Sequence, residues 1–287
     1  MNIKQAKILI TGAKGQLGFD IRRILNNMGC NFIATDYKEL DVTKEKLVFD
    51  FVKRGNFDLI INCAAYNDVD KAEEDRENCY KLNASAPFYL AKAAKEVEAI
   101  FVTYSTDFVF DGNKGMPYTE EDRPNPVSVY GKSKLKGEIL VLNEYDKSIV
   151  IRTSWLFGIN GKNFNTQVLD WAKKHKELRI VDDQISSPTY SYDLANFSLK
   201  LLKKNNFGLF HFSNNGIASK YDQAKYLLNK IGWAGTLYRA KTSDFNLKAR
   251  RPNFSKLDSK KIESLVGAKI PSWQSGIDRW WEEYNAI

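Results

Sequence analysis

Short apolar runs alternate with amphipathic segments through the first half of the chain. Between the runs, apolar residues recur at helical spacing, which predicts helices over residues 16–28, 47–53, 84–97 and 129–142. The runs themselves are rich in Ile, Val, Phe and Leu and predict buried β-strands. They read AKILIT, NFIATD, FDLIINCAA, AIFVTYST and SIVIRTSW.

This alternation of strands and helices predicts an α/β fold. Strands that are apolar along their whole length are buried on both faces, as in a parallel sheet covered by helices. Right-handed crossovers then produce a doubly wound, Rossmann-like sheet. Beyond Gly158 the pattern loosens into short runs such as LRIVDD and GLFHFS, with helices predicted at 190–203 and 220–231.

The same change of pattern predicts two domains. We expect a Rossmann-like domain over residues 1–157 and a smaller C-terminal substrate-binding lobe over residues 158–287. The boundary is soft, because such lobes often interleave with the last strands of the sheet.

The composition narrows the range of functions. The 287 residues carry a formal charge of +8, but the lysines are dispersed, so we expect no nucleic-acid partner. A positive field does favour capture of a phosphate-bearing ligand. No apolar run approaches the ~18 residues that span a bilayer, and the N-terminus lacks a signal-peptide cleavage pattern. We therefore expect a soluble, cytoplasmic protein with no membrane partner.

Cysteines and histidines are too sparse to indicate a metal centre or a disulfide framework. Cys30, Cys63 and Cys79 contain no CxxC pair, and His175 and His211 form no HExxH pattern. We therefore assign no metal and expect no histidine-led catalysis.

A glycine-rich turn follows the first predicted strand, and a predicted helix follows the turn. In this segment, GAKGQLG, Gly12 permits the tight turn and Gly15 leaves the backbone open to a pyrophosphate. Gly18 lets the helix pack closely on the strand, and the helix N-terminus presents free N–H groups to the anion. Strand, turn and helix together predict a dinucleotide site, with a plain glycine turn as the alternative.

Asp36, which ends the second predicted strand, bears on the choice of dinucleotide. A carboxylate there can accept hydrogen bonds from the adenosine ribose and would repel a 2′-phosphate, which favours NADH. Lys14, in the glycine turn, could pair with such a phosphate or be an exposed lysine. We therefore expect NADH or NADPH as the cofactor.

A Tyr-xxx-Lys pair supplies candidate carbonyl chemistry. Tyr130 and Lys134 lie four residues apart in a predicted helix and therefore share a face. The Lys134 ammonium is then placed to lower the pKa of the Tyr130 phenol, which would donate a proton to a carbonyl oxygen. Thr106, at the end of a predicted strand, can donate to the same oxygen. The same spacing recurs in the second half of the chain at Tyr221/Lys225 and Tyr226/Lys230. These two pairs lie outside the predicted Rossmann-like domain, so we expect them to be ordinary helix residues.

Motifs along nearly the whole chain are specific in combination. They are ITGAKGQLG, INCAAYNDVDKAE, STDFVFDG, YGKSKLKGE, RTSWLFG, DDQISSPT and ARRPNFS. Together they resemble the dTDP-4-dehydrorhamnose reductases, a family of extended short-chain dehydrogenases. The resemblance implies NAD(P)H-dependent reduction of the C4 keto group of a nucleotide-linked 6-deoxyhexose. The first candidate is dTDP-4-dehydro-L-rhamnose, reduced to dTDP-L-rhamnose for cell-surface polysaccharide precursors. A monomer or a homodimer is expected.

The resemblance also assigns roles to matching positions. It implies that the pyrophosphate contacts Gly15, Gln16 and Leu17. The adenine would be bordered by Asp41 and Val42. The cofactor cleft would be lined by Ala64, Ala65 and Tyr66. The sugar would be held by Thr106, Asp107, Tyr130 and Trp155. Arg251 would meet the diphosphate, since guanidinium suits phosphate geometry. A core aromatic at Trp155 and a solvated loop at Arg251 are the alternatives.

Three positions depart from the family's usual pattern. Phe108 stands where tyrosine is common, Ser186 where glycine is usual, and Ser219-Lys220 where Ser-Trp is usual. These changes leave the reaction chemistry intact and bear on the preference for sugar and nucleotide.

Two other kinds of function remain as alternatives. A related dehydratase needs an Asp-Glu pair after the threonine, because elimination requires an acid and a base. Asp107-Phe108 lacks the second carboxylate, which disfavours dehydration strongly and epimerisation less. A non-catalytic NAD(P)-binding subunit, like the regulatory subunit of methionine adenosyltransferase, would keep the fold. Intact Thr106, Tyr130 and Lys134 favour an enzyme.

Overall fold

A computed structural model describes residues 1–286. Its strands are β1 (Ile8–Thr11), β2 (Phe32–Thr35), β3 (Leu59–Asn62), β4 (Ile100–Thr106), β5 (Ser148–Thr153), β6 (Leu156–Phe157), β7 (Glu177–Val181), β8 (Ile185–Ser186), β9 (Thr189–Tyr190), β10 (Gly208–His211), β11 (Ala218–Ser219) and β12 (Thr236–Ala240). Its helices are α1 (Gln16–Asn27), α2 (Glu45–Gly55), α3 (Val69–Ala72), α4 (Arg76–Tyr80), α5 (Ala86–Glu96), α6 (Val129–Glu144), α7 (Phe164–Lys174), α8 (Ser191–Leu202), α9 (Lys220–Lys230), α10 (Lys260–Val266) and α11 (Trp273–Tyr284).

The central sheet has six strands in the order β10-β5-β4-β3-β1-β2, and every neighbouring pair is parallel. The predicted Rossmann-like sheet is therefore confirmed. β1 and β3 are buried along their full length, as expected where helices cover both faces. β1 pairs with β2 on one side and with β3 on the other, so the order of the strands reverses at β1. Such a reversal forms a crevice at the carboxyl ends of these strands.

Most predicted elements occur with small shifts at their ends. The helix predicted over residues 84–97 begins as a π-helical turn at Lys81–Ser85 and continues as α5. Helix α11 is not among the predicted elements, although the helical spacing of Trp273, Ile277 and Trp280 is a signal that could have identified it.

Two elements beyond residue 157 belong to the sheet layer. Strand β10 pairs in parallel with β5, with Gly208 opposite Ile149. Helix α8 packs against α1, and its Leu194 and Phe197 join the core on that face of the sheet. Residues on both sides of position 157 therefore contribute to this layer, and the division into domains 1–157 and 158–287 stays a prediction. Residue 287 lies outside the described residues.

The smaller lobe has its own core. Helices α7, α9 and α11 pack around Trp280, which is fully buried. Its indole N–H donates to the Gly158 carbonyl oxygen at 2.9 Å, so the lobe is tied to the segment that follows β6. Every helix within residues 1–286 is too short or too polar to cross a membrane.

Candidate active site

The glycine turn between β1 and α1 closes the sheet end of a cleft. Gly12 has φ +64°, and a Cβ there would lie 2.4 Å from the Ala64 backbone nitrogen, so no side chain fits. A Cβ on Gly18 would lie 2.4 Å from the Gly12 carbonyl oxygen, so only a glycine at this position lets α1 pack so close to the turn. Gly15 caps α1 without a side-chain hydrogen bond, leaving the first turn's N–H groups available to an anion.

The cleft has two connected parts that share Gly15, Ala64 and Ala65. The outer part is lined by the residues assigned to the adenosine, Asp36, Asp41 and Val42, and by Gly12 and Tyr66. The inner part is lined by Gln16 and Leu17, together with four of the six residues assigned to chemistry and substrate, Thr106, Tyr130, Lys134 and Trp155. The fold thus brings the glycine turn and the Tyr-Lys pair to one cleft.

Asp36 stands at the outer end of this cleft with its carboxylate already engaged. It accepts hydrogen bonds from the backbone N–H groups of Lys14, at 3.1 Å, and Tyr37, at 2.8 Å. The Lys14 ammonium pairs instead with Glu39 at 3.7 Å, and both of these side chains are exposed. A carboxylate and an ammonium therefore flank the same corner, as the sequence predicts.

Asn62, at the end of β3, was not among the predicted site residues and organises the cleft wall. Its side-chain oxygen accepts from the Thr11 hydroxyl at 2.7 Å and from the Ala64 N–H at 3.1 Å. Its amide donates to the Thr103 hydroxyl at 3.1 Å. Three neighbouring strands are thereby held together directly beneath the cleft.

Asn83 is a second residue that sequence reasoning missed. Its side-chain oxygen accepts from the Tyr66 N–H at 2.8 Å, and its amide donates to the Tyr66 carbonyl oxygen at 3.0 Å. The amide also donates to the Ser133 hydroxyl at 3.0 Å. Its position in the unusual π-helical turn was invisible to the periodicity of the sequence.

Tyr130 lies in the first turn of α6, which Ser128 caps by accepting from the Gly131 N–H at 3.1 Å. The phenol is buried, and the Phe108 ring meets it edge-on with centroids 5.8 Å apart. Burial raises the pKa of Tyr130 above its ordinary value, while the Thr106 side chain acts in the opposite direction. The phenol is consequently a protonated group held at the inner cleft.

Lys134 lies one helical turn further along α6 and is also buried. Its ammonium donates to the Tyr104 carbonyl oxygen at 2.6 Å. Burial lowers the pKa of Lys134 to about 8, opposed by the charges of Glu138 and Cys79. The net shift of the Tyr130 pKa is upward, because desolvation of the phenol dominates, and a lowering of this pKa by Lys134 stays a prediction.

Asp107 is buried beside the cleft, and the sugar contact that the resemblance implies for it stays a prediction. It is 2% exposed and lies outside the lining of the cleft. The hydroxyls of Thr106, at 3.1 Å, Ser186, at 3.3 Å, and Ser255 donate to its carboxylate. Burial raises the pKa of Asp107 to about 6. In this geometry Asp107 holds Thr106 from behind the cleft.

Trp155 lines the inner cleft in a strained backbone conformation. Its φ of +45° lies in the left-handed region, which is costly for a residue with a side chain. Its carbonyl oxygen accepts from the Thr189 N–H at 3.2 Å, which helps to hold this conformation. The wall position suits the sugar contact that the resemblance implies.

Arg251 stands apart from the lining of the cleft and is held by a carboxylate. It donates to the two oxygens of Asp70, on α3, at 3.2 and 2.6 Å. The guanidinium is therefore already paired in a fork geometry. Its contact with a diphosphate stays a prediction, and would require sharing or exchanging this partner.

Sheet, glycine turn and Tyr-Lys pair together define a Rossmann-type oxidoreductase. In such enzymes a bound dinucleotide is the hydride donor, and the turn at Gly12 and Gly18 has the shape that this ligand needs. The family model described as the RmlD substrate binding domain matches residues 6–286, and the chain belongs to this family.

Individual relatives are similar over nearly their whole length. The dTDP-4-dehydrorhamnose reductase of Aggregatibacter actinomycetemcomitans is 38% identical over 285 residues, covering 95% of this chain and 97% of the relative. The spore coat polysaccharide biosynthesis protein SpsK of Bacillus subtilis is 35% identical, covering 98% of each chain. The crystal structure of dTDP-4-dehydrorhamnose reductase from Bacillus anthracis in complex with NADP is 35% identical, with TM-score 0.93, covering 97% of this chain and 99% of the other.

Proposed function

We propose that this protein reduces the C4 keto group of dTDP-4-dehydro-L-rhamnose to give dTDP-L-rhamnose, using NADH or NADPH. The observation that carries the proposal is the single cleft in which Thr106, Tyr130 and Lys134 meet the glycine turn. The names of the relatives support the substrate, because similarity covers the substrate lobe as well as the sheet.

The residues of the cleft have different roles in carbonyl reduction. Bound NAD(P)H supplies the hydride. Tyr130, kept protonated by its raised pKa, donates the phenol proton to the carbonyl oxygen as negative charge develops there. The Thr106 hydroxyl donates its single proton to Asp107 in this structure, and turning that proton towards the substrate would let it stabilise the same oxygen.

Lys134 contributes a buried positive charge beside this reaction. Its ammonium is anchored on the Tyr104 carbonyl oxygen, so it can favour the phenolate that remains after proton donation. It also lies where the nicotinamide ribose is expected, and can donate to a ribose hydroxyl. Removing it should therefore affect both cofactor binding and proton transfer.

The wider setting of the reaction follows from the same proposal. The relative named as a spore coat polysaccharide biosynthesis protein supports a role in supplying a sugar for cell-surface polysaccharide. Such precursors are nucleotide-linked, which suits a cytoplasmic monomer or homodimer without a nucleic-acid partner. Size-exclusion chromatography with light scattering would distinguish the two oligomeric states.

The direct test supplies dTDP-4-dehydrorhamnose with NADH or NADPH and follows both cofactor oxidation and sugar product. Oxidation coupled to formation of dTDP-rhamnose would support the proposal. Turnover of only a UDP- or CDP-linked keto-sugar would retain the reductase and reject the dTDP assignment. Tight cofactor binding without turnover across the panel would favour a non-catalytic subunit instead.

A further inference from the structure

Lys220 is the first residue of α9, and its ammonium lies against two aromatic rings. The nitrogen Nζ is 3.7 Å from the centroid of the Trp155 ring and 4.5 Å from that of Phe164. Trp155 lines the inner cleft with Tyr130, whereas Lys220 lies outside that lining and reaches the candidate active site only through its contact with the Trp155 ring. Cation–π attraction offsets only part of the cost of removing an ammonium from water.

Two charged side chains face Lys220, and each is already committed elsewhere. The negative charge of Asp107 attracts it, but three hydroxyls occupy that carboxylate. The positive charge of Arg251 repels it, and Arg251 is bound to Asp70. Desolvation of the ammonium is the largest effect and lowers the pKa of Lys220 to about 7, although the residue as a whole is only half-buried.

The position in the helix gives no compensation either. A cation in the first turn of a helix faces the positive end of the helix dipole. The nearby acidic residue of this turn, Asp222, is used in capping: it accepts from the Ser219 N–H at 3.0 Å and from the Ser219 hydroxyl at 2.6 Å. An anionic ligand would therefore supply negative charge that the surrounding residues do not provide to the Lys220 ammonium.

We propose that Lys220 is a specificity residue that binds the diphosphate of the nucleotide-linked substrate, an inference that rests on the proposed function. A diphosphate is the anionic part that every nucleotide sugar brings to this cleft. An ammonium offers a compact charge and three donors for phosphate oxygens. Its place on Trp155 couples recognition of the diphosphate to the wall that receives the sugar.

The experiment compares binding of dTDP and of thymidine to the NADPH-loaded enzyme by isothermal titration calorimetry. Lys220→Met removes the charge while keeping the length of the side chain, and we expect about a ten- to hundredfold weaker dTDP affinity. Thymidine binding should be unchanged. Lys225→Met, at an exposed position on the same helix, is the matched control and should alter neither affinity.

Turnover provides a second readout. In Lys220→Met the KM for the dTDP-linked keto-sugar should rise by a similar factor, with kcat nearly unchanged, because Tyr130 and Lys134 are untouched. Lys220→Arg keeps the charge and should retain most of the dTDP affinity. It tests the proposal even when the methionine variant does not fold. Thermal unfolding of each variant identifies that case.

Several results would overturn the proposal. These are equal losses for dTDP and thymidine, unchanged dTDP affinity in a folded methionine variant, loss of dTDP affinity in a folded arginine variant, and absence of dTDP and UDP binding to the wild-type enzyme. The keto-sugar assay is independent of these titrations. A missing turnover with Lys220-dependent dTDP binding would reject the proposed reaction while keeping the diphosphate site.

Discussion

The side-chain amide of Asn83 donates to the hydroxyl of Ser133 at 3.0 Å. Ser133 in turn donates to the carbonyl oxygen of Tyr130 at 2.7 Å. Because Asn83 also brackets the backbone of Tyr66, the cofactor wall and the catalytic helix are joined through one buried amide. We therefore predict that cofactor binding and the placement of Tyr130 are coupled.

Asn83→Ala should weaken both the fold and cofactor binding. The substitution removes a buried amide and leaves the part-buried N–H and carbonyl groups of Tyr66 without these partners, which costs about 1–3 kcal/mol. Urea unfolding and titration with NADPH would measure the two effects. Asn229→Ala, at an exposed position on α9, is the control. Wild-type values for both quantities in Asn83→Ala would contradict the coupling.

Tyr130→Phe should reduce turnover by roughly 10²–10⁴-fold, the usual contribution of a general acid. Cofactor affinity should be nearly intact, because the aromatic ring and its packing on Phe108 remain. Single-turnover measurements would report the chemical step. Tyr226→Phe, in a second Tyr-xxx-Lys pair, should leave turnover close to wild type. Retention of more than about a tenth of wild-type turnover in Tyr130→Phe, with chemistry rate-limiting, would exclude Tyr130 as the acid.

The rate of reduction should fall as the pH rises through the pKa of Lys134. Burial lowers that pKa to about 8, so the ammonium is present below this pH and lost above it. Tyr130 has a raised pKa and therefore keeps its proton in this range. The measurement is kcat/KM against pH, which reports groups of the free enzyme.

Lys134→Arg distinguishes this cause from others. Arginine stays charged at all accessible pH values, so the decline near pH 8 should disappear, even if the overall rate is lower. Lys134→Ala should weaken cofactor binding and reduce turnover together. A wild-type profile that stays flat well beyond pH 8 would show that the charge of Lys134 is not required.

Asp36→Ala should shift the cofactor preference towards NADPH. The carboxylate would repel a 2′-phosphate and accept from ribose hydroxyls, with each effect on the order of 1–3 kcal/mol. The ratio of kcat/KM for NADH and NADPH measures the shift. Lys14→Ala should move the ratio the other way if its ammonium exchanges Glu39 for the phosphate. An unchanged ratio in both variants would place cofactor choice elsewhere.

The linear sequence by itself determined the class of fold and was enough to predict where the main chemistry lies. Near-continuous apolar strands specify a parallel sheet, and the glycines of GAKGQLG follow directly from steric and anion-binding requirements. Tyr130 and Lys134 share a helix face because they are four residues apart. These features depend on neighbours along the chain, so local pattern was sufficient to predict them.

The tertiary structure decided how residues distant in sequence meet and how strongly they are desolvated. It buried Asp107 beneath Ser186 and Ser255, paired Arg251 with Asp70, and set Lys220 on Trp155. It also made desolvation the largest influence on the pKa of Tyr130. Hydrogen-bond partners and solvent exclusion arise only when separate elements pack together, and a pKa depends on both, so spacing along the chain could not predict them.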